Sequence, residues 1–447
     1  MLIPPVPMLE NERLRPQFHF TARSGWLNDP NGLVYDRGKY HLFYQHNPHG
    51  TEWGNMTWGH AVSSDLFHWK DLPHAIEPDA LGTIFSGSAI IDGKNEAGFG
   101  KRAMLCFYTA AGGTNEESKG KPFTQCLAYS KDGRTFTKYV ANPIVPNIEG
   151  ADRDPKIVWD SEHQQWLMAL YLEYAPNSGK RGGYFTLLSS TNLLSWTRIS
   201  DFPLGVGDEC PDFFQLPVPG AKEKKWVFSV ANGNYMIGSF DGKTFHPETP
   251  VLPTNFGNAA YAAQTYSNVP RGEVIQISWM QGSNFPGCSW NQQMSVPNRL
   301  QLKQTAEGLR LAMLPVKQIE KLRVREIPVL GQEVSVPSGL IDFSGEWRGA
   351  LDLQINGIDI HFDPGTQKLR ALDKEAVLAP SSGKFKLRIL ADVTSLEIYA
   401  QDGLAWMPLF HLPKPGDFKG IRFLGDSGNK GKFRAFELKG VWGDDGR

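Results

Sequence analysis

Over its first 300 or so residues the chain alternates apolar and polar side chains in short bursts: KYHLFYQH, AMLCFYTA, QWLMALYL, KWVFSVA and EVIQISWM. Each burst is rich in β-branched or aromatic residues and is bounded by Gly, Pro, Asn or Asp, the period-two pattern of strands separated by turns. No convincing long amphipathic helix interrupts this region, so the pattern predicts an all-β chain. Beyond it, PVKQIEKLR (315–323) reads as a short helix, with Pro at its start and a charged face. After that, LDLQINGIDIHFD, KFKLRILADVTSLEIYAQDG and KFRAFELKGVW alternate like antiparallel strands with hairpin turns, which fits a β-sandwich.

The turns between strands repeat. Ser63-Ser64-Asp65-Leu66-Phe67-His68-Trp69 is echoed at Ser130 to Phe136, at Ser190 to Trp196 and at Ser239 to Phe245. The shared form is Ser-x-Asp/Asn-Leu/Gly-x-x-aromatic: a tight turn, then an aromatic anchor that opens the next strand. Intervals of about 50 to 70 residues suit four-stranded propeller blades with variable loops. A fifth unit, Tyr261 to Met280, keeps the strand pattern without the turn signature. The expected fold is a five-bladed β-propeller followed by a β-sandwich. The expected organisation is a catalytic propeller over 1–312, a linker with a short helix over 313–330, and a sandwich over 331–447.

Polar motifs keep a nearly constant phase against this repeat. Asp29 in WLNDPNG, Ser86 in FSGSA, Asp154 in RDP and Glu209 in ECPD each fall about 36 to 50 residues before the anchoring aromatic of their unit. Innermost strands line the central channel of a propeller, so equivalent early positions would converge at one channel mouth. Taken singly, each motif has an ordinary reading. NDPNG is turn chemistry, with Pro30, Asn31 and Gly32 expected to make a tight turn. Arg153–Asp154 is a local ion pair, Cys210 a small buried filler, and Trp53, Trp58 and Trp290 core residues. The common phase makes these readings jointly improbable.

Two carboxylates facing each other across a glycosidic bond are the minimal equipment for its hydrolysis. Glu209 suits the acid, with a like-charged neighbour and apolar walls such as Phe213 and Trp290 favouring its protonated form. Asp29, supported by backbone N–H groups of a tight turn, suits the ionised nucleophile. Asp154, beside Arg153, is expected to stay ionised and to hold substrate hydroxyls.

Composition narrows the ligand. The 447 residues carry a net charge of −1, with 46 basic and 47 acidic side chains well mixed. No basic patch argues for nucleic acid, and no run approaches the roughly 20 apolar residues that span a bilayer. A neutral ligand is expected, and 13 Trp supply faces on which sugar rings stack. The N-terminus lacks the basic start and apolar core of a signal peptide, and the four cysteines show no CxxC spacing and no metal-ligand grouping with His. The chain reads as cytoplasmic, or as a mature secreted or periplasmic form. Cys106 and Cys126 could pair in an oxidising compartment, with buried thiols the favoured reading.

WLNDPNG, FYQHNP, the Trp53 loop, TIFSGSA, DRDPK, ECPDFF and W-N-Q-Q-M-S-x-P occur in the order typical of glycoside hydrolase family 32, which the chain resembles over about residues 15 to 325. The sandwich resembles that family's C-terminal domain through LRILADVTSLEIYAQDG. The resemblance implies retaining hydrolysis of β-fructofuranosides by a propeller and sandwich, without metal or cofactor. It puts the nucleophile at Asp29, the acid/base at Glu209 and the transition-state stabiliser at Asp154. Asn28, Gln45, Trp53, Phe85, Ser86, Arg153 and Trp290 match positions that shape the fructose pocket. Two departures, Asp392-Val393-Thr394-Ser395 for Asp-Arg-x-Ser and Pro297-Asn298-Arg299 for Pro-Arg, bear on the subgroup rather than the triad. TIFSGSA and ECPDFF resemble the exo-acting levanase and inulinase branch more than the sucrose-6-phosphate hydrolases. The implied substrates are levan, inulin, fructo-oligosaccharides and sucrose. The alternatives are an invertase acting mainly on sucrose, or a fructosyltransferase using the same carboxylates.

Overall fold

A computed structural model describes residues 12–442 apart from 176, 203–206, 208, 330, 379–382 and 426–430. Between Gly25 and Pro315 it builds five sheets in chain order. Their innermost strands are Gly25–Asp36, Thr83–Asp92, Arg153–Asp160, Asp212–Pro217 and Tyr261–Thr265. These five pack against one another in turn, and the fifth meets the first, which closes the ring of a propeller. Closure is reinforced where Trp290–Asn291 crosses from the fifth blade to pair in parallel with Gly25–Trp26. Tyr35 and Ser267 add backbone hydrogen bonds between the same two blades.

The repeated turn has a physical basis now visible in four blades. Asp65, Asp132, Asn192 and Asp241 each accept two backbone N–H groups through Oδ1. Ser63, Ser130 and Ser190 accept a further N–H, from Leu66, Gly133 and Leu193. Those three residues and Gly242 all have φ between +65° and +91°, so the Leu/Gly position is the left-handed residue of one shared turn. The fifth blade lacks the signature because its outer strands, Asn298–Thr305 and Gly308–Pro315, turn through a different hairpin. They lie beyond the Tyr261–Met280 unit that the sequence suggests.

WLNDPNG is not a turn after a strand. It lies inside the 12-residue strand Gly25–Asp36. What looks like turn chemistry is a bulge, where Asn28 and Asp29 together oppose Gln45 between the pairs Leu27↔His46 and Pro30↔Tyr44. Three other innermost strands carry the same two-against-one slip. Phe85 and Ser86 oppose Thr109, Asp154 and Pro155 oppose Leu170, and Ala262 and Ala263 oppose Ser278. A bulge bends the strand and re-aims its side chains, here at the same level in each blade. Gly32 keeps the first strand tight against its neighbours, since at φ +53° an added Cβ would sit 2.6 Å from the Phe43 ring and 2.9 Å from Trp58.

Below the bulges the channel is filled. Lys156 Nζ donates to Thr265 O at 2.7 Å and pairs with Asp212 Oδ1 at 3.0 Å, all three groups buried. Thr265 donates its backbone N–H to Asp212, and Ser88 Oγ bonds Pro155 O and Ile157 N across the second and third blades.

Lys317–Leu322 is a short 3-10 helix rather than an α-helix, and Arg323–Ile327 already belongs to the sandwich. The sandwich is two six-stranded antiparallel sheets around Phe343, Trp347, Phe362, Ile389, Ile398 and their neighbours. Its junction with the propeller holds a buried polar clamp. His19 Nδ1 lies 2.8 Å from Asp392 Oδ2, and Nε2 lies 3.0 Å from Glu397 Oε1. Asp392 also accepts N–H groups of Gln17, Phe18 and His19, and Glu397 those of Val296 and the Trp406 indole, with the Tyr399 hydroxyl. The sequence Asp392-Val-Thr-Ser thus has a local task, to hold the segment that leads into the first blade.

Candidate active site

The bulges and the strand entry before Asp212 bring Asp29, Asp154 and Glu209 to one end of the channel. Asp29 is held by side chains, not by backbone N–H groups: Ser86 Oγ donates to its Oδ2 at 2.5 Å and Asn28 Nδ2 to its Oδ1 at 3.0 Å. Both partners are oriented in turn, Ser86 by Gln45 Nε2 at 3.2 Å and Asn28 by the Trp26 indole N–H at 2.9 Å. Burial pushes the Asp29 carboxyl up to about 6; Ser86 and Asn28 oppose the shift and the charge of Glu209 adds to it.

Asp154 accepts the Cys210 N–H at 3.0 Å, and its own N–H donates to Thr109 Oγ1. The expectation that Arg153 keeps Asp154 ionised needs correction. Burial outweighs the cation, Glu209 and Asp29 add repulsion, and the Asp154 carboxyl lies well above the usual carboxylate range. The guanidinium instead turns to Glu209 Oε1, at 3.0 and 2.7 Å, and to Glu173 Oε2 at 2.6 Å, stacking over Tyr171. Glu209 Oε2 accepts the Tyr261 hydroxyl at 3.0 Å. The apolar walls expected around Glu209 are elsewhere. Phe213 packs on Trp226 and Phe228 between blades, and Trp290 has no exposed surface.

Cys210 is more than a filler. Its thiol lies 3.6 Å from Asp29 Oδ2 and 3.5 Å from Asp154 Oδ2, bridging the two carboxylates. Asp154, Glu209 and Cys210 all have positive φ (66°, 64° and 42°), a strain of about 1–3 kcal/mol each that clusters where three acidic groups must converge.

Of the residues matched to a sugar pocket, Asn28, Gln45, Phe85, Ser86 and Arg153 surround this centre. Trp53 is not core: it is 57% exposed and edge-on to Phe85 at 5.9 Å. Trp58 is core, and so is Trp290, clasped between the Arg15 guanidinium and Phe285. Trp290 acts on the site only through what it supports. Sequence reasoning missed Tyr261, Glu173 and Thr109. Thr109 was reachable in principle, since it faces the second bulge as Gln45 faces the first. Among the described residues no group of three or more His, Cys, Asp or Glu could hold a metal, and none of the four cysteines forms a disulfide.

Residues 19–315 match the domain described as Glycosyl hydrolases family 32 N-terminal domain, and residues 360–439 match Glycosyl hydrolases family 32 C terminal. A levanase of Bacillus subtilis (strain 168) is 35% identical over 97% of this chain and 72% of its own length. An extracellular exo-inulinase of Aspergillus niger is 35% identical over 67% of this chain and 64% of its own. In structure, an exo-inulinase from Aspergillus awamori superposes with a TM-score of 0.83 at 26% identity, covering 96% of this chain and 99% of that one. A fructofuranosidase from Schwanniomyces occidentalis, complexed with fructosylnystose, gives 0.82 at 26% identity over 97% and 99%.

Proposed function

Because this chain belongs to glycosyl hydrolase family 32, we propose that its channel mouth releases fructose from the non-reducing end of β-fructofuranosides, with Asp29 as nucleophile and Glu209 as acid/base. The observation that carries the reading is the meeting of three carboxylates from three blades, Asp29 and Asp154 bridged by the Cys210 thiol and Glu209 held beside them by Arg153 and Tyr261. A terminal fructosyl unit enters the mouth with its anomeric carbon toward Asp29. Glu209 gives a proton to the glycosidic oxygen as an Asp29 oxygen attacks that carbon. The bond to the leaving sugar breaks and a fructosyl ester forms. Glu209, now a base, takes a proton from water. The water oxygen displaces Asp29, which returns to the carboxylate as fructose leaves.

Support for the assignment is chemical. Asp29 has two donors, from Ser86 and Asn28, that favour its ionised form and fix its direction. Glu209 is anchored on both oxygens, by Arg153 and Tyr261, so its proton is delivered from a fixed place. Asp154 lies across the same thiol and accepts fructose hydroxyls. Trp53 and Phe85 offer ring faces and edges at the rim. Asp29→Asn is expected to lower kcat by at least about a thousandfold with folding intact, read as fructose released from levan, inulin and sucrose. Turnover close to wild type in that variant overturns the assignment.

A further inference from the structure

A residue that must deliver a proton is set against a permanent cation. Arg153 Nε and Nη2 donate to Glu209 Oε1 at 3.0 and 2.7 Å, and a guanidinium so placed favours the ionised form of a carboxylate. Among the described residues Arg153 is the one cation paired with any of the three carboxylates. Acting alone, it would fix the direction of Glu209 while drawing off the proton that Glu209 has to give.

A fourth carboxylate stands on the other side of the same guanidinium. Glu173 Oε2 accepts from Arg153 Nη1 at 2.6 Å, and Ala151 O accepts from the same nitrogen at 2.6 Å. Glu173 ends the second strand of the third blade, Gln165–Glu173. Tyr171 lies two residues earlier, hence on the same face of that strand. It pairs in register with Arg153, and the guanidinium rests 4.7 Å from the centre of its ring. One strand thus supplies both the surface under the guanidinium and the carboxylate at its edge. The end of that strand is pinned in turn, since Gly150 has φ +54° and a Cβ there would sit 2.2 Å from Glu173 O.

Two acids on one cation change the charge balance. With Glu209 protonated, Arg153 and Glu173 cancel and the trio is neutral. With Glu209 ionised the trio carries −1. Asp29, Asp154, the Cys210 thiol and the Tyr261 hydroxyl also face this centre, and none of them is a cation. On the segments beside Glu173, Glu149 accepts the Tyr184 hydroxyl and Lys180 lies over Tyr174, with Arg181 next in sequence. We propose that Glu173 is a positioning residue for the acid/base: through Arg153 it holds Glu209 in place and keeps it protonated to higher pH. The proposal rests on the fructoside reading above. The Glu173 side chain is 42% exposed, against 13% for Arg153, so water screens its charge and the effect is about half a pH unit rather than several.

The measurement is the pH profile of kcat/KM at low ionic strength, for methyl β-fructofuranoside and for 4-nitrophenyl β-fructofuranoside. Methanol leaves only with the proton of Glu209, whereas 4-nitrophenolate leaves largely without it. Glu173→Gln keeps an acceptor for Arg153 and removes the charge. Its basic limb with the methyl fructoside is expected to move down by about half a unit, a loss of about threefold in kcat/KM on that limb. The nitrophenyl fructoside should lose less. Glu173→Asp, which returns the charge, should bring the limb back toward wild type. A basic limb that stays in place or moves upward in Glu173→Gln overturns the proposal. So does a Glu173→Asp limb no higher than that of Glu173→Gln, or an equal loss on both fructosides at every pH, the mark of a merely structural role. Absence of fructose from both substrates with the wild type would instead overturn the underlying reading.

Discussion

His19 is buried with both ring nitrogens on carboxylates, at the seam between propeller and sandwich. Burial alone would push the imidazole down, but Asp392 and Glu397 outweigh it and hold it at about 9. A histidine raised in the folded state stabilises the fold fully below its unfolded value of about 6.5, and that stabilisation is lost as pH rises through about 9. Each pH unit within that window is worth about 1.4 kcal/mol, so stability should fall by about 2 kcal/mol between about pH 7.5 and 9. The raised Asp29 carboxyl works at lower pH: its unfavourable ionisation is complete once pH has passed about 6, so it does not contribute in this window. The assay is urea unfolding followed by tryptophan fluorescence, for which the Trp406 indole, bonded to Glu397, is a local reporter. His19→Leu leaves two buried carboxylates without their cation. It should cost about 3–5 kcal/mol near neutrality and abolish the alkaline slope. An alkaline slope unchanged in His19→Leu, or absent from the wild type, would refute the charged clamp.

Ser86→Ala removes the donor that opposes the rise of Asp29, so the acid limb of kcat/KM, expected at about pH 6, should move upward by up to about one unit. An unmoved limb in the pH–rate profile would count against Asp29 as the group that must ionise. Lys156→Met leaves Asp212 buried without its cation and should cost about 3–5 kcal/mol in urea unfolding, recovered in large part by Lys156→Met with Asp212→Leu. Gly32→Ala forces a Cβ against Phe43 and Trp58 from a left-handed backbone. A lowered urea midpoint, by more than about 1 kcal/mol, is expected together with reduced fructose release, since the strand that carries Asp29 must shift.

Much of the architecture was legible because one turn is written four times. An Asx residue that gathers two N–H groups, followed by a left-handed Leu or Gly, is a short-range instruction and survives in single-sequence form. The phase of Asp29, Ser86 and Asp154 was legible for the same reason, since each lies on an equivalent bulge. The bulges themselves were not: a two-against-one slip is decided by the partner strand, so NDPNG reads locally as a turn. Tyr261 and Cys210 act through contacts between blades, and Glu173 through a contact with Arg153 across two strands of the third blade, where no local pattern points. The preference of Arg153 for Glu209 over its neighbour Asp154 is likewise a matter of which way a strained backbone aims two adjacent side chains. The clamp on His19 joins residues more than 370 positions apart, and its Asp392 registers in the sequence only as the first residue of a motif from which Val393 departs.

The Lys156–Asp212–Thr265 plug makes the channel a blind well rather than a pore. Whatever enters at the carboxylates must leave by the same opening. A polymer therefore cannot be threaded through and trimmed in transit: after each cut the shortened chain has to withdraw before the freed hexose can escape. Every cycle ends with the polymer released and a new chain end recruited from solution. A population of long fructans should accordingly shorten evenly, all members together, instead of a few being consumed to completion while the rest stay whole.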